Sequence, residues 1–122
     1  MYQFEKLIIW QESVQLIKKI CLITDKFPKE EKYSLTSQIQ RAAVSVSLNI
    51  AEGKGSSYDK EFVRFLNIAL RSLHETAAAL LISIELGYTE KTGEITTTLE
   101  FMEKLGGKIK ALINKLQEAS GQ

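Results

Sequence analysis

The sequence predicts an all-α protein, an up-and-down antiparallel four-helix bundle formed as one domain over residues 1–122. Helical periodicity runs along nearly the whole chain, with no stretch of alternating strand pattern. The segments between the periodic runs are short, which makes successive helices antiparallel neighbours. Three of the four helices also carry a second apolar stripe. A monomeric bundle buries one face per helix, so the surplus predicts a homo-oligomer; scattered surface aliphatics are the plainer alternative.

The first helix spans about Glu5 to Lys26 and stops before Phe27-Pro28, because proline disfavours helix in the residue before it. Lys29 to Lys32 fit a short extra turn. The second helix starts near Ser34, a good N-cap type, and ends at Gly53, expected as a left-handed C-cap glycine. The third begins after Ser56-Ser57, with Asp59 and Glu61 near its positive end, and runs to Leu86 before Gly87. The fourth begins within Thr89 to Thr92 and reaches about Glu118, leaving Ala119 to Gln122 to fray.

At roughly 100° per residue the faces separate. On the fourth helix Ile95, Leu99, Met102, Leu105, Ile109, Leu112, Ile113 and Leu116 share one side, and Lys104, Lys108 and Lys115 the other. Gly106-Gly107 costs about 1 kcal/mol per glycine, and close approach of another helix is one compensation. The first helix has a core stripe of Leu7, Trp10, Val14, Ile17 and Cys21, and a second stripe of Ile9, Leu16, Ile20 and Ile23. The second helix pairs a core stripe of Leu35, Ile39, Ala42, Ala43, Val46 and Ile50 with Val44 and Leu48 nearly opposite. In the third, Ile68 and Ile82 lie well away from Phe62, Leu66, Ala69, Leu73, Ala77, Leu80 and Ile84. The second stripes, Ile9, Leu16, Ile20, Ile23, Val44, Leu48, Ile68 and Ile82, are the expected oligomer contacts, with the fourth helix facing solvent.

Arg41, Ser45, Asn49 and Glu52 follow an i, i+4, i+8, i+11 line beside the second-helix core. Such a line is commonly a solvated stripe. Its alanine- and serine-rich setting favours a partly buried polar seam, structural in role, with Ser72 and Glu75 of the third helix opposite. An unpaired buried charge is costly, so Arg41 is expected to pair with Glu75.

Catalytic and metal patterns are incomplete. His74-Glu75 begins an HExxH motif, but Ala78 stands where the second histidine belongs, and Arg71 replaces the glutamate of a di-iron motif. Gly53-Lys54-Gly55 lacks the earlier glycine of a phosphate loop, since Leu48 stands there. Cys21, the sole cysteine, allows no intrachain disulfide and no cysteine metal cluster, and fits packing better than nucleophilic chemistry. No cofactor and no metal are expected.

Composition bounds the rest. Hydrophobic residues at 44% and charged residues at 25% place the chain among ordinary globular domains. A formal net charge of +1 supplies no global field for nucleic acid. Locally, Lys54, Lys60 and Arg64 cluster near the second loop, and Lys104, Lys108 and Lys115 line the fourth helix. Repeated around an oligomer, these patches would form a surface for RNA phosphates; nearby acids dilute them. The N-terminus does not read as a signal peptide, and the longest apolar run, Ala77 to Ile82, is too short to cross a bilayer. A cytoplasmic protein without membrane contact is expected.

Several motifs carry a family resemblance over nearly the whole chain. They are Phe4-x-x-Leu7-x-x-Trp10, Phe27-Pro28, Gln38-x-x-Arg41-Ala42-Ala43-x-Ser45, Asn49-Ile50-Ala51-Glu52-Gly53, Glu61-Phe62-x-x-Phe65-Leu66, Ser72-x-x-Glu75 and Leu86-Gly87-Tyr88. With these the chain resembles the 23S rRNA intervening sequence proteins, small bacterial four-helix bundles described as ribosomal-protein-like. It departs from them at Ser34, where glycine is frequent, and at Ser47-Leu48, where Pro-Ser is frequent. The resemblance implies a ring-like homo-oligomer, typically a pentamer, with no known catalytic activity. A related accessory protein of diversity-generating retroelements, similar in fold, binds reverse transcriptase and RNA through a basic ring. The implied role is a non-enzymatic oligomeric scaffold whose partner is RNA, a ribonucleoprotein or a nucleic-acid enzyme. The alternatives are a protein-only interaction module, or an enzyme with a polar pocket where Arg41, Glu75 and His74 converge.

Overall fold

The structure is a computed structural model that describes residues 1–31, 35–119 and 121. A 3-10 turn at Gln3–Lys6 leads into α1 (Ile8–Thr24); a second at Lys29–Glu31 precedes α2 (Ser37–Lys54), then α3 (Asp59–Glu85) and α4 (Gly93–Ala119). Among the described residues there are four α-helices and no strands. Each helix packs on its neighbours in chain order and α4 closes against α1, as in an up-and-down bundle. The expected N-cap, Ser34, lies outside the described residues.

Local chemistry accounts for the helix ends. After α3, Tyr88 donates its amide to the Ser83 carbonyl at 2.9 Å and Gly87 to Ile84 at 3.0 Å. This is the paired bonding of a Schellman motif, and Gly87 sits in its left-handed position at φ 78°. Tyr88 then meets Phe27, ring centroids 6.1 Å apart, and ties this turn to the end of α1. At the start of α4 the Thr92 hydroxyl accepts the Ile95 amide at 3.3 Å, an N-cap contact within the expected Thr89 to Thr92 window.

The glycine expected to end α2 does something else. Gly53 stays helical, and α2 continues to Lys54 with Gly55 as its C-cap at φ −76°. A Cβ on Gly53 would lie 2.8 Å from Phe62 Cδ1 and 2.9 Å from Phe65 Cβ. The residue is small because α2 and α3 nearly touch there, not because the chain turns left-handed. Ser56, expected to help start α3, donates its hydroxyl back to the Gly53 carbonyl at 2.6 Å and so finishes α2.

The core reverses the two stripes of α1. Ile9, Leu16, Ile20 and Ile23 are buried, whereas Leu7, Trp10, Val14 and Ile17 are half-buried and Cys21 is exposed. Both stripes are apolar, so periodicity by itself does not choose between them. Ser13 does: it is fully buried and its hydroxyl meets that of Ser47 on α2 at 2.7 Å. With Ser13 included, Ile9, Ser13, Leu16, Ile20, Ile23 and Phe27 form one heptad-spaced line into the core. The remaining core stripes largely fall as expected, with Ile39, Val46, Ile50, Leu66, Leu73, Leu80, Ile95, Leu105 and Ile109 all buried. By length and composition α3 could cross a membrane, although no run of consecutive apolar residues suggests it. In the bundle its Phe62, Leu66, Ala69, Leu73 and Leu80 are covered by the other helices.

Candidate functional site

The polar line of α2 is half a seam. Ser45 meets Ser72 of α3 hydroxyl to hydroxyl at 2.9 Å. Asn49 donates its amide to the Ser45 carbonyl at 2.8 Å and to the Ser45 hydroxyl at 3.0 Å. One turn on, Thr76 returns its hydroxyl to the Ser72 carbonyl at 2.8 Å, fully buried. Ser45, Asn49 and Ser72 are half-buried, and their mutual bonds supply what desolvation removes. The charged members stand outside. Arg41, Glu52 and Glu75 are exposed, and no ion pair joins Arg41 to Glu75. The expected pairing is therefore corrected. The close helix–helix line belongs to small residues, which pushes the long charged side chains to the solvent rim, where a free ion needs no partner.

The apolar surplus is also redistributed. Ile9, Leu16, Ile20 and Ile23, expected at an oligomer contact, lie in the core and present no contact surface. Ile68 is half-buried. Val44 at 38%, Leu48 at 64% and Ile82 at 49% are exposed. With Ser13 and Ser47 joined, helical periodicity sets Trp10, Val14 and Ile17 of α1 beside Val44, Leu48 and Ala51 of α2, outside that bond. Phe4 meets Trp10 with its ring tilted by 60° and centroids 5.0 Å apart, and Tyr2 stacks on Phe4 at 5.4 Å. The result is an apolar and aromatic strip along the outer α1–α2 side. Sequence reasoning missed the exposed Ile8, Leu22, Leu81 and Leu86. Ile8 and Leu22 share a face with Gln11, Gln15 and Lys18, a signal that was present but polar enough to pass for surface. Among the described residues, α4 contributes no exposed large hydrophobic residue.

The cations are partly engaged. Arg64 donates to both Glu61 carboxylate oxygens at 3.1 Å, and Lys108 to Glu12 of α1 at 2.6 Å. The Arg64 bond holds the Glu61 carboxyl below its ordinary range, and Glu61 in turn raises the guanidinium. Lys54 lies over the Phe62 ring at 5.8 Å and Arg64 over Phe65 at 4.4 Å. Lys60, Lys104 and Lys115 are exposed.

His74 turns away from Arg41 and Glu75. It lines a groove of ≈ 440 Å³ between α3 and α4, with Leu73, Ala77, Leu81, Leu99, Met102, Glu103, Gly106, Gly107 and Lys110. Arg41 and Glu75, expected to converge with His74 in an enzymatic pocket, do not line this groove. No group of three or more His, Cys, Asp or Glu side chains gathers among the described residues.

A family model described as 23S rRNA-intervening sequence protein matches residues 5–115. The chain belongs to that family. A solved structure of a protein with unknown function from the S23 ribosomal protein family of Bacteroides thetaiotaomicron VPI-5482 superimposes with a TM-score of 0.78. The two are 20% identical, and the match covers 87% of this chain and 98% of that one, which shows a shared fold. No curated protein matches this sequence.

In this member of the 23S rRNA-intervening sequence protein family, the Asn49-Ile50-Ala51-Glu52-Gly53 stretch acts in the architecture. Asn49 closes the seam, Ile50 is fully buried, and Gly53 admits Phe62 and Phe65. Ser72 of the Ser72-x-x-Glu75 motif completes the same seam, whereas Glu75 faces solvent.

Proposed function

We propose that this protein is a non-enzymatic scaffold that self-associates through the outer side of α1 and α2. One observation carries this above the others: the exposed aliphatics sit on α1, α2 and the α3 end, while α4 shows none among the described residues. A random scatter of surface aliphatics would include α4, which at 27 residues is as long as α3. Leu48 stands at the crest of α2 beside the half-buried Trp10, Val14 and Ile17, so a partner surface laid there would cover a continuous strip. Heterologous contacts between identical subunits close into rings when the rotation relating them divides a full turn, and the family resemblance favours five copies. The test is sedimentation velocity of the wild-type chain and Leu48→Lys. Self-association lost in the variant with helicity intact is the expected result; identical sedimentation of the two chains would remove α2 from the contact.

RNA or a ribonucleoprotein is the proposed partner of the assembled scaffold. Lys54, Lys60 and Arg64 cluster at the α2–α3 turn, with Lys54 and Arg64 backed by aromatic rings. Lys108 and Arg64 are already paired to carboxylates, which weakens the surface. Binding is therefore expected to be electrostatic, and affinity for single-stranded RNA should fall steeply between low and physiological salt. Flat salt dependence, or no binding at low salt, would leave a protein-only module.

A further inference from the structure

The α3–α4 groove lies away from the α1–α2 side and shares only Leu81 with the exposed aliphatics named above, and its ≈ 440 Å³ lies within the roughly 300–1,000 Å³ of small-ligand sites. On the α4 side, Leu99, Glu103, Gly106 and Lys110 follow i, i+4, i+7, i+11 and border it lengthwise. Lys110 and Leu99 are eleven residues apart, about 16 Å along the helix. One end is basic, with Lys110 on α4 and His74 on α3. The other end is apolar, with Leu81 facing Leu99.

The glycine pair distinguishes the basic end. Gly106 has a packing reason to be small, because its Cβ would meet Leu73 Cδ2 at 3.4 Å. Gly107 has none, since a Cβ there meets nothing within 4 Å. Glycine in a helix interior costs about 1 kcal/mol relative to alanine. The open space at Gly107 adjoins both His74 and Lys110, and Lys110 makes no ion pair among the described residues.

We propose that this groove binds a single-chain anionic amphiphile of the fatty-acid class. The carboxylate sits in the space at Gly107, accepting from Lys110 and His74. The hydrocarbon runs over Ala77 and Met102 towards Leu81 and Leu99. Glu103 lies one helical turn from both Gly107 and Leu99, so its charge opposes a carboxylate at either end, and only at the Gly107 end do Lys110 and His74 offset it. The placement of Lys110 and His74 at one end therefore sets the direction of the ligand, and the apolar remainder of the lining suits its chain. Met102 suits the chain end because a thioether adapts to irregular apolar shapes.

The test is an NMR titration of the full chain with decanoate below its micellar range, with decyltrimethylammonium as the cation of equal chain length. Saturable shifts at Ala77, Leu81, Leu99 and Met102 are expected with decanoate, and at least about tenfold weaker binding of the cation. Lys110→Ala should also weaken decanoate about tenfold. Gly107→Leu should abolish binding while raising the melting temperature, because the side chain fills the open end and favours helix. Absence of saturable shifts, equal binding of the two amphiphiles, or undiminished binding by Gly107→Leu would overturn the proposal. So would shifts at the same residues on concentrating the protein without ligand, which would make a second copy the occupant.

Discussion

Helices α1 and α4 pack side by side, and both are apolar along their length, yet they meet solvent differently. On α4 the apolar residues form one side and Lys104, Lys108 and Lys115 the other. The buried line runs through Ile95, Met102, Leu105, Ile109 and Ile113. On α1 the buried line through Leu16 and Ile20 leaves a second apolar stripe half-covered, and Ile8 and Leu22 are bare at 62% and 63% exposure. A helix with one apolar face is finished by the monomer. A helix with two leaves apolar surface beside the core even where Leu7, Trp10 and Ile17 pack against it. This contrast is the basis for placing the proposed self-association at α1 and α2.

The sharpest way to break the contrast is to exchange the roles of the two α1 stripes. Leu16→Ala removes a fully buried side chain and should cost about 2–5 kcal/mol of unfolding free energy. Cys21→Ser, on the stripe that sequence reading placed in the core, should stay within about 0.5 kcal/mol in the monomer because Cys21 is exposed. Urea denaturation of both variants checks the assignment; equal losses would return the second stripe to the core. The α2–α3 contact comes next. Gly53→Val puts side-chain atoms where Phe62 and Phe65 already stand and should cost about 1–3 kcal/mol, read by the same denaturation. An unchanged midpoint would mean that the two helices separate freely at that end.

Much of this was legible in the sequence, for identifiable reasons. Element type followed from 3.6-residue periodicity, and the α3 end from a glycine at the one position where a left-handed residue closes the helix. The serine and asparagine seam was legible because small polar residues at i, i+4 spacing on an alanine-rich helix suit close approach. The core side of α1 was not, since both stripes offered apolar residues and the deciding side chain, Ser13, is polar. Gly53 was misjudged because a glycine near a helix end serves two purposes, and sequence carries no record of Phe62 pressing from the next helix. The Arg41–Glu75 pair failed for a related reason: register brought the two residues to similar heights, but flexible charged side chains settle in water when the close line is filled by serines.

A smaller effect separates engaged cations from free ones. Arg64 holds the exposed Glu61 carboxyl below its ordinary range through their hydrogen bonds. Because the folded-state pKa is lowered, the pairing contributes above the unfolded carboxylate value of about 4.3 and is lost as pH falls through the lower folded value. Arg64→Ala should move the Glu61 titration back up, as followed by carboxyl NMR shifts. No movement would mean that the pair does not persist in solution.

The proposed self-association requires α1 and α2 to be covered in solution. Light scattering behind size exclusion, over a range of loading concentrations, tests this most directly. A constant mass of about 69 kDa, five copies of the 13.8 kDa chain, is predicted. A constant 13.8 kDa would contradict it, leaving Val44, Leu48 and the Trp10 strip open to water in an isolated subunit.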